Sequence, residues 1–142
     1  MSTAVDVFGN LVSAQVRKNP HRARNLLAAA YEGVWATGAL PRSGLPGVQA
    51  RYVGHIAHVI ARGLAHPERS VLVNVYFPHE LLDAFNVTPL FPEGVAVYVA
   101  NTACSSVFAQ VAEEQGVPES FCSYHKVMLG MAQAGVIGRP LM

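Results

Sequence analysis

Charge is scarce in this sequence of 142 residues. Asp, Glu, Lys and Arg make up 13% of it, against about 25% in an average soluble protein. With 51% apolar residues, the chain lies far from the low-hydrophobicity, high-charge regime of intrinsic disorder. The net charge is +1, so there is no electrostatic footprint for nucleic acid or for an acidic membrane surface. Cysteine is scarce too. Two cysteines do not make a disulfide scaffold, and the expectation is a reduced, cytoplasmic protein. The N-terminus has no basic region ahead of an apolar core, which excludes a signal peptide there. Gly-rich phosphate loops, HExxH and GxSxG are all missing.

One uncharged stretch, Gly94 to Ala112, is about the length of a bilayer span. Asn101, Thr102, Ser105, Ser106 and Gln110 interrupt it, and each is costly in hydrocarbon without a partner. No membrane span is expected. The uncharged second half instead suggests a surface covered by more protein.

The length suits about one domain's worth of fold, yet the pattern changes along it. Residues 1–67 read as a helical N-terminal segment. A first helix over about 3–18 carries Val5, Phe8, Leu11, Val12 and Val16. Asn19 then caps, and Pro20 opens, a second helix lined by Leu26/Ala30/Val34 and Leu27/Tyr31/Trp35. After the breaker-rich connector 38–47, a third helix over about 47–66 presents Tyr52, Ile56, Val59, Ile60 and Leu64 as its apolar stripe. Arg51, His55, His58, Arg62 and His66 fall on the other side. The two arginines would repel a cation, so this is a solvated face rather than a metal site.

Residues 68–142 read as the beginning of an α/β domain, apparently incomplete. SVLVNVYF (70–77) predicts a buried strand, and Pro78 a helix start, PHELLDAF. Asn86 is placed to leave that helix in the left-handed conformation. Val87–Phe91 predicts a second strand, with Pro89 pointing to a sheet edge, and Pro92–Ala100 is ambiguous between helix and strand. Helices are expected over about 102–115, stopped by Gly116, and over about 123–134, stopped by Gly135. A further strand would begin near Arg139-Pro140. The expected fold class is α/β: a helical N-terminal segment followed by the first strands and helices of an open, mostly parallel sheet. Two strands alone do not stabilise such a sheet.

Two junctions carry candidate chemistry. At Tyr76-Phe77-Pro78-His79-Glu80-Leu81 a strand runs into a helix, where open α/β sheets bind ligands. Glu80 there is either a first-turn glutamate favoured by the helix dipole or an acid/base group facing a pocket. At Phe121-Cys122-Ser123-Tyr124-His125-Lys126, Cys122 falls at a helix start, where the dipole and Lys126 one turn on would stabilise a thiolate. Such a thiolate serves as nucleophile or metal ligand, and a buried inert cysteine is the alternative. His125 is a further candidate to stabilise the thiolate or to pair with Cys122 in a small thiol enzyme, although its place three residues on along the same helix is unfavourable for reaching the sulfur. Cys104 reads as core packing. The cluster Arg17, Lys18, His21, Arg22 and Arg24 reads as a solvated helix junction.

The stretch VLVNVYFPHELLDAFNVTPLF (71–91) resembles the opening strand–turn–helix of the 2-hydroxyacyl-CoA dehydratase and benzoyl-CoA reductase family, with Pro78, Glu80, Leu81, Ala84 and Pro89 matching and Asn86 in place of Gly. FCSYHKVMLGMAQAGVI (121–137) is similar to the family's Cys-Ser-aromatic-x-Lys helix, with glycines at Gly130 and Gly135. The resemblance spans about half the chain, residues 68–140. The resemblance implies a cytoplasmic lyase-type iron–sulfur subunit performing radical dehydration or reduction of CoA thioesters. It implies a 4Fe–4S cluster held by three cysteines, a second dehydratase-type subunit, an ATP-hydrolysing activator protein that donates an electron, and an acyl-CoA substrate. Carried over, Cys122 is a cluster (metal) ligand and Glu80 the catalytic acid/base candidate. The other two cluster cysteines have no counterpart here, so the chain is expected to be a fragment or truncated homologue. The alternative is a non-catalytic interaction or structural module retaining the front end of that fold.

Overall fold

A computed structural model describes residues 3–38, 47–74, 76–78 and 80–141. Seven α-helices, one 3-10 turn (Pro67–Arg69) and two short strands are formed among them: α1 (Ala4–Val16), α2 (Pro20–Gly38), α3 (Gly47–Ala65), β1 (Ser70–Leu72), α4 (Glu80–Asp83), β2 (Thr88–Leu90), α5 (Pro92–Ala100), α6 (Ser105–Glu114) and α7 (Ser123–Gln133). The architecture is mostly helical, with a small parallel sheet. The segment 39–46 of the predicted connector, and His79 of the first junction, lie outside the described residues.

The helix starts follow capping chemistry. Thr3 and Asp6 form a reciprocal capping box at α1, which the sequence pattern had not flagged. Asn19 accepts from the Arg22 N–H at 3.0 Å and opens α2 as predicted. On α2, Ala23, Leu27 and Tyr31 are buried at successive turns, while Trp35 is 40% exposed.

The buried face of α3 differs from the predicted stripe. Ala50, Gly54, Ala57, Ala61 and Leu64 face inward with Ile60, whereas Tyr52 is 65% exposed and Ile56 and Val59 are only half-buried. Small residues let α2 and α3 approach closely, and that contact outweighs the pull of the larger side chains. The wet face is as expected: His58 pairs with Glu32 at 2.9 Å and stacks on Trp35 at a centroid distance of 5.0 Å.

The first strand is shorter and less buried than predicted. Asn74 is the reason. Its side chain accepts from the Tyr76 N–H at 2.9 Å and its carbonyl from the Phe77 N–H at 2.9 Å, a local turn that competes with strand pairing. Tyr76 and Phe77 are consequently outside the sheet, with Tyr76 91% exposed, and Val75 of the predicted strand lies outside the described residues. β1 and β2 pair in parallel, Ser70 with Thr88 through Leu72 with Leu90. Val71 also forms a parallel bridge to Leu141 on its other side, where a further strand was expected to begin. Pro89, which has no N–H, thus sits on an edge strand. Asn86 takes φ 53°, and Gly116 and Gly135 take φ 91° and 76°, as the turn chemistry predicted.

The ambiguous segment 92–100 is a helix. Pro92 occupies the first turn and Val95, Ala96 and Val99 form its buried face. The uncharged stretch is then broken between α5 and α6 by a turn at Thr102–Cys104, with Ala103 at φ 54°. No helix among the described residues is long and apolar enough to cross a membrane. A single cluster of buried side chains runs from Val12 and Leu27 through Leu64 and Leu90 to Phe108, Met131 and Ile137, so the helical segment and the later elements share one core. α6 and α7 cross where Gly130 lies against the Phe108 carbonyl. Any Cβ there would collide with backbone.

Candidate functional site

Pro118 and a turn that returns the Phe121 N–H to the Pro118 carbonyl at 3.0 Å deliver Cys122 to the N-cap of α7. The Lys126 N–H then closes the first turn on the Cys122 carbonyl at 2.9 Å. Cys122 has φ −53° and ψ 124°, and its side chain makes no capping hydrogen bond to the first turn. It is exposed and not in a disulfide.

Its thiol is held below the usual thiol range. Hydrogen bonding with the His125 side chain is the largest cause, followed by the backbone N–H groups of His125 and Tyr124. His125, one turn into α7, is thus the neighbour with the largest influence on the sulfur. Its ring also stands edge-on to Phe121 at 6.0 Å, which helps fix its orientation.

Lys126 does something other than predicted. It is 6% exposed, its Nζ donating to Glu113 at 2.5 Å and to the Glu119 carbonyl at 2.8 Å. A buried ammonium needs this pairing, and the pairing joins α7 to α6 instead of supporting the thiolate.

A groove of about 360 Å³ runs across α5, α6 and the first turn of α7. Ala96, Ala100, Ser106, Ala109, Ser123 and Tyr124 line it. Small side chains leave this space open, and Cys122 itself is not part of its lining. Glu80 is the first residue of α4 and is exposed; it is not among the groups that shift Cys122. Cys104 is fully buried, with Sγ 3.2 Å from Thr102 Oγ1, and burial raises its thiol above the usual range. It precedes α6 rather than lying inside a helix, but its place in the core is the expected one.

Among the described residues no group of three or more His, Cys, Asp or Glu side chains is arranged to hold a metal ion. These residues do not form a complete iron–sulfur site. Cys122 has the chemistry of a single thiolate ligand, and Cys104, inside the core, does not offer a second. Comparisons of the chain with protein-family models, with curated proteins and with solved structures found no match.

Proposed function

We propose that this chain forms part of an iron–sulfur subunit of the 2-hydroxyacyl-CoA dehydratase type, in which Cys122 supplies one thiolate ligand and the remaining ligands come from outside the described residues. The observation that carries this reading is the exposed Cys122 sulfur, its thiol lowered by His125 and by backbone N–H groups at the α7 N-terminus. A thiolate is the form that binds iron, so a cysteine already biased toward ionisation suits that role. When bound, a 4Fe–4S cluster supplies one-electron transfer, the chemistry required for radical dehydration or reduction of a CoA thioester. Glu80 is the acid/base group of this reading, a second dehydratase-type subunit and an ATP-hydrolysing activator are its partners, and the cytoplasm is its compartment. The two parallel strands, with Leu141 joining β1 in the same sense, support an open, mostly parallel sheet that begins at Ser70.

Anaerobic reconstitution with iron, sulfide and excess glutathione, which supplies the missing thiolates, tests the ligand assignment. The broad visible absorption of sulfur-to-iron charge transfer should develop in the wild type and in Cys104→Ala, and should be lost in Cys122→Ala. Equal absorption in Cys122→Ala, or none in the wild type, would overturn it. A second reading, a non-catalytic interaction module, is favoured by Tyr76, Leu81 and Phe85, which are 91%, 60% and 77% exposed around α4.

A further inference from the structure

The groove between α2 and α3, about 360 Å³ in volume, has an alanine floor of Ala28, Ala61 and Ala65, and a charged rim that the Cys122 reading does not use. Arg62 and His66 stand one turn apart on its α3 side. Arg24, one turn before Ala28 on α2, is wedged beside Pro67 and Gly138, where a Cβ on Gly138 would come within 2.5 Å of the guanidinium. Neither arginine meets a carboxylate among the described residues. Arg24 contacts only His21 Nδ1, at 2.9 Å, and its Nε is buried with no hydrogen-bond partner.

The local carboxylates are already engaged. Glu32, at the far end of the groove, is held by His58 at 2.9 Å, and Glu68 lies 3.5 Å from His66. Arg62 on the rim, and Arg24 outside the lining beside Pro67, are left without a carboxylate partner, while Glu32 and His58 pair with each other along the wall. Guanidinium donors are matched by planar or tetrahedral oxyanions, and they are weakly hydrated enough to be held at such a surface.

We infer that this groove binds a small organic oxyanion, a phosphate or carboxylate group, gripped by Arg62 at the rim with Arg24 beyond it, while the ligand's carbon part lies on the alanines. The inference is independent of the Cys122 reading. A Cys122→Ala variant should behave as wild type in the test below.

Trp35 is the chain's sole tryptophan and stacks on His58, a residue of the groove wall, so its emission reports occupancy. The full chain is titrated with sodium phosphate and, separately, sodium acetate, with sodium chloride at matched ionic strength as the control. A saturable change in Trp35 emission is expected with at least one of the two anions: phosphate alone assigns a phosphate ester, acetate alone a carboxylate. Arg62→Gln, at an exposed position, should raise the midpoint about ten-fold, the order expected for losing a charge-assisted contact. Arg51→Gln, also exposed on α3 but outside the groove, should leave it unchanged. Absence of saturation with both anions, an equal change with chloride, or an unaltered midpoint in Arg62→Gln would overturn the assignment.

Discussion

Cys104 and Cys122 hold the same position relative to their helices, each the N-cap residue of α6 or α7, and both are free thiols. Their surroundings drive them in opposite directions. Cys122 has ψ 124° and its sulfur is influenced by the first-turn N–H groups; Cys104 has ψ 11° and its sulfur turns back to Thr102 and, at 3.9 Å, the Val99 carbonyl. Burial then decides the rest. Cys104 is fully enclosed and its thiol is pushed up, whereas Cys122 is exposed and pushed down. A helix N-terminus is therefore insufficient to activate a cysteine. The backbone angle that aims the sulfur and the access of solvent to it matter as much.

The largest consequence is in reactivity. Under native conditions near neutral pH, iodoacetamide should label one thiol per chain, at Cys122. Cys104 should react at least ~10³-fold more slowly, because it is reached only through opening of the core. Peptide mapping by mass spectrometry resolves the two sites. Comparable rates at both would dissolve the contrast.

The enclosure of Cys104 depends on α1. Gly9 lies against the turn before α6, and a Cβ there would come within 2.5 Å of the Thr102 carbonyl oxygen and 2.6 Å of that of Ala103. Gly9→Val should cost about 3 kcal/mol, the upper end of ordinary overpacking penalties, because backbone rather than a flexible side chain must yield. It should also make Cys104 labelable in the native state. Urea unfolding and the same peptide map measure both effects. A variant as stable as wild type with Cys104 still protected would show that α1 is not what seals this turn.

Much of this arrangement was legible before any coordinates. The Asn19-Pro20 start, the left-handed Asn86, the stops at Gly116 and Gly135 and the wet histidine face of α3 are local chemistry, and local chemistry is what a sequence displays. Cys122 at a helix start belongs to the same class. What escaped notice depended on partners distant in sequence. The Lys126 ammonium is committed to Glu113, on α6, and the inward face of α3 is chosen by how closely α2 can approach. The strand over 70–77 failed at Asn74, whose own hydrogen bonds ended it.

The smallest effect concerns pH, and its sign separates the two thiols. Cys104 keeps its proton in the folded state to higher pH than in the unfolded chain, since burial raises it. Above the usual thiol pKa of about 8.5 the unfolded state ionises first, and stability falls by at most about 1.4 kcal/mol per pH unit until the folded-state value is reached. Cys122 runs the other way: lowered in the folded state, its contribution is lost as pH falls through that lowered value and is already complete above about pH 8.5. Buried Tyr31 is likewise raised by burial, but its unfolded-state ionisation begins only near pH 10 or so. Between about pH 8.5 and 9.5, then, Cys104 alone of these three supplies a slope. Urea midpoints across that window should decline more steeply for wild type than for Cys104→Ala, whichever starts higher. Parallel lines would mean that the Cys104 thiol titrates as freely in the folded protein as in the open chain, and the distinction drawn between the two N-cap cysteines would then rest on access alone.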